Sequence, residues 1–509
     1  MQTHASKFDF TDLFTLEMAN NHQGSVEHGL KIINEFAKVV KEHGVKATVK
    51  LQFRDLDTFI HPADKKKTDN KHVPRFLSTK LSRKDFKILV DATKKAGLIS
   101  MATPFDEASV ELIKELDVDI LKIASCSAKD WPLLEKAVTA GKPMIVSLGG
   151  MSIPEIDRLV SFLDHRYVHF ALMHCVAIYP TPHDKLNLAH IEVLRKRYPG
   201  ITIGFSTHEE PDNMAAIQIA YAKGARIFER HVGIPTKTIT LNAYSSTPEQ
   251  VSRWIASWKV ARGAEGTAEW EADPKEMADL NSLKRGVFAK KPLKKGQSIK
   301  RSDVYFAFPY REGQLSSGEF KEGEVVADKA YAADAAVAHE TRTFTPTIRD
   351  LVYHPIHEVK AMLHTANVAL PVDFALELSH HYGLENFRKV GVVIIDVINR
   401  DYCKKILVQL PGQEHPYHHH LQKEEAFHVL SGILELELEG RRMTLHPGDI
   451  AVVQRGVKHR FWSDTGAIFE EVSSTHFNND SFYEDTAISQ LPREARKTKL
   501  SNWGRHHFD

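Results

Sequence analysis

Eight times between residue 15 and about residue 260, the chain runs through a short apolar stretch and then a segment whose apolar residues recur at helical spacing. The stretches are Thr15–Met18, Lys46–Gln52, Leu98–Ala102, Ile120–Ile123, Met144–Ser147, Phe170–Met173, Thr202–Phe205 and Arg226–Glu229. Leu30, Ile33, Phe36, Val39 and Val40 mark one intervening helix face, and Gly44 should end it, because glycine takes the left-handed conformation beyond a helix end without strain. Ser82, three residues ahead of Asp85, predicts a capping box that opens another helix, with Phe86, Leu89 and Val90 on its apolar side and Gly97 after it. Eight strand-helix units in about 250 residues have the length and rhythm of a (β/α)8 barrel, and a doubly wound sheet is the competing α/β architecture.

A chain of 509 residues exceeds what one core organises, so two to four domains are expected. Its 67 basic and 66 acidic residues leave a net charge of +1, which gives no reason to invoke nucleic acid or a membrane surface as a partner. Three widely spaced cysteines, Cys126, Cys175 and Cys403, do not make a disulfide framework and point to a reducing compartment. The opening M-Q-T-H-A-S-K-F-D-F-T-D-L-F lacks the basic-then-apolar pattern of a secretion signal, and no apolar run is long enough to span a bilayer. A cytoplasmic location is therefore expected.

A barrel of this kind carries its chemistry just after each strand. The strand ends supply Glu17 with Asn20, Asn21 and His22, then Lys50 and Gln52, Thr103, Lys122 and Ser125, Ser147 with Gly149 and Gly150, His174 and Tyr179, and finally Ser206, His208, Glu229 and His231. One lysine or serine at a strand end is usually structural, but polar groups at all eight ends are not explained by core packing. Two parallel neighbours ending in His208 and His231 would bring two neutral imidazoles to one sheet edge, a donor pair suited to a divalent metal with open coordination positions. Lysines set in the apolar runs V-K-L-Q-F and L-K-I-A, with hydroxyls and glycines around them, suit a substrate bearing phosphate and carboxylate. The metal would polarise a second substrate's carbonyl, and Glu17 is placed to act as a base or to bind hydroxyls.

These residues fall in motifs that resemble the sialic acid synthase family, enzymes that condense phosphoenolpyruvate with an N-acylated hexosamine. The motifs are E-M-A-N-N-H-Q-G (17–24), V-K-L-Q-F (49–53), T-P-F (103–105), L-K-I-A-S (121–125), H-C-V-A-I-Y-P-T-P (174–182), G-F-S-T-H (204–208) and E-R-H (229–231), in the family's order. The resemblance implies that Lys50, Thr103, Lys122, Ser125, Ser147 and Ser206 bind phosphoenolpyruvate. It gives His208 and His231 a metal, manganese foremost with magnesium or cobalt as alternatives, and turns Glu17, Gln52 and Tyr179 toward a sugar aldehyde. Glu17, Lys50, Lys122 and Tyr179 are the catalytic set it implies. The chain departs from the family pattern on the sugar side: Ser127 stands where an acid is expected, Ala177 replaces an asparagine, and Asn242 takes the place of an aspartate.

Residues 1–262 are thus read as the barrel domain and 263–280 as a charged linker. Residues 281–345 resemble the small antifreeze-like domain of the same family, which reaches over the partner's barrel in a homodimer and donates an arginine to the substrate's N-acyl group. Phe308 precedes Pro309 where that arginine is expected, so either Arg311 substitutes or the substrate lacks an N-acyl group.

Residues 346–399 are read as a helical connector, with Val368 to Tyr382 as a helix, 400–485 as a second β domain and 486–509 as a tail. In G-Q-E-H-P-Y-H-H-H-L-Q-K-E-E-A-F-H-V-L-S-G (412–432) the i, i+2 pair His418 and His420 points to one face of a strand. With Glu425, and with His459 after the Gly456 turn, this resembles both cupin motifs and a site for manganese, iron, nickel or zinc. The expected function is phosphoenolpyruvate-dependent synthesis of a sialic acid-like ulosonic acid, with a cupin that isomerises or binds the sugar. The alternatives are an inactive barrel in a sugar-binding protein and a cupin isomerase or epimerase as the principal enzyme.

Overall fold

The computed structural model describes residues 8–66, 69–338, 346–501 and 503. Every one of the eight apolar stretches is a buried strand: β1 (Leu13–Glu17), β2 (Lys46–Phe53), β3 (Ile99–Pro104), β4 (Ile120–Ile123), β5 (Met144–Ser147), β6 (Phe170–Cys175), β7 (Ile203–Thr207) and β8 (Ile227–His231). Each pairs in parallel with the next, and β1 pairs with β8 to close the barrel, which excludes the doubly wound sheet. Strands covered on both faces read as continuous apolar runs because neither face meets water.

Their outward residues, among them Phe14, Leu16 and Val49, pack under a ring of helices through Phe36, Leu89 and Trp254. Inside, Leu13, Met101, Ile120, Ile145, Met173 and Ile227 fill the N-terminal end, with Phe10 packed against them. The polar strand ends therefore stand on a solid apolar floor. The helix signals hold: Ser25 caps Val26–His43, Gly44 closes it at φ 62°, and Ser82 and Asp85 form the reciprocal capping box. At the β7/β8 crossing a Cβ on Gly204 would lie 2.7 Å from the Ile227 Cβ and 2.9 Å from its carbonyl oxygen, so only glycine allows that approach.

The chain divides into two units, 1–270 and 271–509. The expected linker 263–280 is partly helical, since Pro248–Glu265 runs into it and Pro274–Ser282 begins within it, capped by Asp273 and opened by proline. Strands β9 (Gly286–Ala289) and β10 (Val304–Ala307) pair antiparallel over a small core that includes Val287, Leu293, Ile299, Leu315 and Val337. The end of the expected 281–345 segment, residues 339–345, lies outside the described residues, as do residues 1–7 of the opening segment and 504–509 of the expected tail.

Among its described residues the second unit also holds twelve strands in two sheets. They are β11 (Ala375–His380), β12 (Gly391–Asn399), β13 (Tyr402–Gln409), β14 (Gln413–His419), β15 (Glu425–Gly432), β16 (Leu434–Leu438), β17 (Arg441–Leu445), β18 (Ile450–Val453), β19 (His459–Ser463), β20 (Ala467–Ser474), β21 (Phe482–Tyr483) and β22 (Lys497–Ser501). One sheet has the order β18-β15-β20-β13-β12-β11-β22 and the other β17-β16-β19-β14-β21. Phe427, Val429, Leu434, Leu436, Phe461 and Phe469 fill the space between them.

Two sequence expectations are corrected here. The helix lies at Ile348–Thr365, not over 368–382, where Ala375–His380 is a strand. Leu376 and Leu378 pack on that helix with Ile356 and Leu363 while Glu377 and Ser379 face the other way, the period of two that defines a strand. The 400–485 boundary is also too narrow, because β11 and β12 extend the sheet from β13, and β22, inside the expected tail, pairs with β11. Among the described residues no helix is long and apolar enough to cross a membrane.

Candidate functional site

The strand ends of the barrel converge on a buried chain of charges. Lys50, within β2, places its Nζ 2.6 Å from Glu17 Oε2 and 2.7 Å from Glu229 Oε1. Lys122 on β4 lies 4.0 Å from Glu229 Oε2 and donates to Ser147 Oγ at 2.6 Å, while Ser206 donates to Glu229 Oε1 at 2.9 Å. Glu17 also accepts the Ala19 N–H at 2.7 Å. Ser125 Oγ accepts the Gly149 N–H at 3.0 Å, and Thr103 is buried at the end of β3 in register with Gln52. Burial works against a charged Lys50, but Glu17 and Glu229 outweigh it and hold its pKa above the usual value. Lys122 has less compensation: burial pushes it down to about 8, with Glu229 opposing and Lys50 adding to the fall.

His208 and His231 flank this chain with ring centroids 5.3 Å apart. Burial drives both imidazoles down to about 3, helped at His208 by His231 and at His231 by Lys50. Both are therefore neutral, the form that ligates metal. His208 Nδ1 lies 3.1 Å from the Val176 carbonyl, which puts the proton on Nδ1 and leaves Nε2 with a lone pair. Tyr179 packs on His208 at 4.3 Å, and Tyr244 stands edge-on to His231 at 5.0 Å.

The other expected residues are placed less directly. Gln52 accepts from Arg54 Nη2 at 3.0 Å. The Asn242 carboxamide oxygen accepts the Tyr244 N–H at 3.2 Å, so it braces its own turn. Arg311 belongs to the second unit, where its guanidinium lies over the Phe288 ring at 5.5 Å.

A second centre lies between the cupin sheets. His418, His420, Glu425 and His459 are buried and bring four ligand atoms within 4.8 Å of one another. His418 Nδ1 faces the Pro416 carbonyl at 3.0 Å, His459 Nδ1 the Val457 carbonyl at 3.0 Å, and His420 Nδ1 the Asp480 carbonyl. Each ring is thereby turned with Nε2 inward. His459 Nε2 and Glu425 Oε1, both without a hydrogen-bond partner, sit 2.8 Å apart, and the equally unpartnered His420 Nε2 is 3.6 Å from the same oxygen. A proton could relieve one of these contacts, whereas one metal ion relieves them all. The donor set fits such an ion.

Behind it, Lys423 pairs with Glu425 and lies 2.9 Å from Glu471, itself 3.2 Å from Lys405. The Asp480 carboxylate accepts the N–H groups of Leu421, Gln422 and Lys423 and fixes the loop that carries His420. A cavity of about 630 Å3 lined by Glu377, Asp396, Lys405, His476 and Lys497 lies in this unit.

A model described as the NeuB family matches residues 36–269, and one described as a cupin domain matches 406–471. A solved structure from Chromobacterium violaceum, named spore coat polysaccharide biosynthesis protein E, is 46% identical with a TM-score of 0.60 and covers 64% of this chain and 98% of its own. The chain belongs to the NeuB family. Its NeuB-family relatives include the N-acetylneuraminate-9-phosphate synthase of Mus musculus, 28% identical over 56% of this chain and 79% of that one. Another is the N,N'-diacetyllegionaminic acid synthase of Campylobacter jejuni, 25% identical over 48% and 77%.

Sequence reasoning named Glu229 as a strand-end residue without seeing that it bridges both lysines. An acid inside the apolar run I-F-E-R-H carried the same signal as the lysines of β2 and β4. Tyr244, Lys423, Glu471 and Asp480 were missed, and no local pattern announces these contacts because they join residues 13 to 57 apart: Tyr244 meets His231, and Lys423 meets Asp480 and Glu471 across the fold.

Proposed function

We propose that the barrel condenses phosphoenolpyruvate with an open-chain sugar aldehyde, giving a 3-deoxy-ulosonic acid of the nonulosonic class and phosphate. The observation that carries this reading is the buried chain Glu17–Lys50–Glu229–Lys122–Ser147 beside two neutral histidines. Carbon 3 of phosphoenolpyruvate bonds to the aldehyde carbon, water adds at carbon 2, and phosphate leaves with its bridging oxygen to give the 2-keto acid. Lys50, Lys122, Thr103, Ser125, Ser147 and Ser206 hold the carboxylate and phosphate oxygens on preorganised donors. Glu17 and Gln52 face the acceptor, and Tyr179 closes over it from the loop after β6. A divalent cation, with manganese as the first choice, would be held by His208 and His231 and would supply Lewis acidity at the aldehyde oxygen. Incubation with manganese, phosphoenolpyruvate and a panel of aldoses is expected to release phosphate and a product heavier than the aldose by the added three carbons. No release with any hexose or hexosamine would overturn the proposal.

The same assignment predicts a pH dependence. Lys122 is charged below about pH 8 and loses its charge as pH rises through that value. In the free enzyme, kcat/KM for phosphoenolpyruvate is expected to fall about tenfold per unit on the alkaline side, a slope read from initial rates between pH 7 and 10.

We assign the cupin a metal-dependent sugar interconversion on the precursor or the product, supported by its four inward-facing donors. A cytoplasmic homodimer completes the reading, and sedimentation at micromolar concentration checks the dimer.

A further inference from the structure

Just beyond β2, two residues after Gln52, Arg54 enters the mouth of the barrel. Its guanidinium carbon lies 3.6 Å from the Phe105 ring centroid and 4.1 Å from that of Phe76. Phe105 is itself anchored, its N–H bonding the Phe53 carbonyl at 3.1 Å. The one hydrogen bond described for the guanidinium goes to a neutral acceptor, Gln52 Oε1, and the buried Nε has none. Among the described residues no carboxylate pairs with Arg54, although Cys126, Glu17 and Asp106 act on it electrostatically. Both acids are committed elsewhere. Glu17 pairs with Lys50 and accepts from Ala19, and Asp106 accepts the N–H groups of Asp55 at 2.8 Å and Ser109 at 2.7 Å.

A half-buried cation clamped between aromatic rings, without a counterion, is costly unless a ligand brings the anion. Burial lowers its pKa to about 10, which is the direction expected of a charge whose compensation is missing. Arg75 acts electrostatically on His22 and Tyr244, while Ser127 and Asn242 bring no charge.

We propose that Arg54 is an anion-binding subsite of the acceptor pocket, and that the acceptor aldehyde carries a phosphate ester or a carboxylate away from its aldehyde carbon. This rests on the condensing reading above. Phosphoenolpyruvate does not serve as that anion, because its ligands lie deeper. Arg54 is four residues beyond Lys50, about 13 Å further along an extended chain. An open-chain acceptor whose carbonyl lies at the histidines would direct its far end toward the mouth, where Arg54 stands. Planar, forked donors suit phosphate or carboxylate equally, so the chemistry shared by both is what Arg54 selects.

The test uses full-length protein with manganese and phosphoenolpyruvate, and compares mannose, mannose 6-phosphate and mannuronate, each also as its 2-acetamido analogue. Wild type is expected to favour one anionic series over the neutral one by at least about tenfold in kcat/KM. Arg54→Gln should remove that preference through the acceptor's KM and leave the KM for phosphoenolpyruvate within about twofold. Arg54→Lys should restore part of it. Which anionic series gains separates a phosphate ester from a carboxylate. Thermal melting of both variants checks that they fold, and calorimetric titration of mannose 6-phosphate and mannuronate reads the subsite without turnover. Anion binding that is lost in Arg54→Gln, with no turnover of any aldose, would support the subsite and overturn the synthase reading. Equal use and equal binding of neutral and anionic sugars by wild type, or a variant effect confined to phosphoenolpyruvate, would overturn the subsite.

Discussion

Lys50→Met is expected to lower kcat/KM for phosphate release by about a thousandfold, the size seen when a preorganised charge at a reacting oxyanion is removed. The substitution keeps most of the side chain's volume and deletes the one ammonium shared by Glu17 and Glu229. Both carboxylates then remain buried, Glu17 with a single backbone donor and Glu229 with Lys122 and Ser206. Breaking a buried pair by removing one partner costs about 3–5 kcal/mol, so a lower melting temperature should accompany the loss of rate. Lys50→Arg should not rescue turnover, because a planar fork cannot occupy the compact point between two carboxylates. Steady-state phosphate release and thermal melting on the same preparations check this, and a Lys50→Met protein that turns over normally would remove the central element of the proposed chemistry.

The double variant His418→Ala, His420→Ala should lose one equivalent of tightly bound metal per chain, read by elemental analysis, and abolish any sugar interconversion while condensation continues at the wild-type rate. Both rings are oriented by backbone carbonyls of their own unit, so independence is the expected result. Metal present at a hundred times its Kd stabilises the folded cupin by about 2.7 kcal/mol. Chelation should therefore lower the melting temperature of wild type and have little effect on the variant. Loss of condensation in the double variant would contradict two separate centres.

Much of the barrel and of its candidate site was legible before any coordinates, because parallel strands buried on both faces leave an unbroken apolar text and the barrel fixes which end carries the chemistry. A lysine inside such a run had to be special, and both Lys50 and Lys122 lie in the buried network. The candidate donors of the cupin were equally plain, since His418, His420 and Glu425 crowd into eight residues. Arg54 was not legible. Its meaning lies in two aromatic rings from elsewhere in the chain and in the absence of a carboxylate, neither of which spacing reveals. The strand Ala375–His380 was misread because alanine, leucine and glutamate favour helices, and only pairing on both sides with β12 and β22 decides otherwise.

That last pairing bears on how the molecule is made. Ser379 to Ala375 of β11 align with Lys497 to Ser501, so the outer edge of this sheet is covered by a strand translated some 120 residues later. A ribosome will have released the barrel long before then, and the nascent cupin waits with β11 as a bare, hydrogen-bond-hungry border. The interval between the synthesis of β11 and the arrival of β22 is when this chain is most open to pairing with a neighbour instead of with itself.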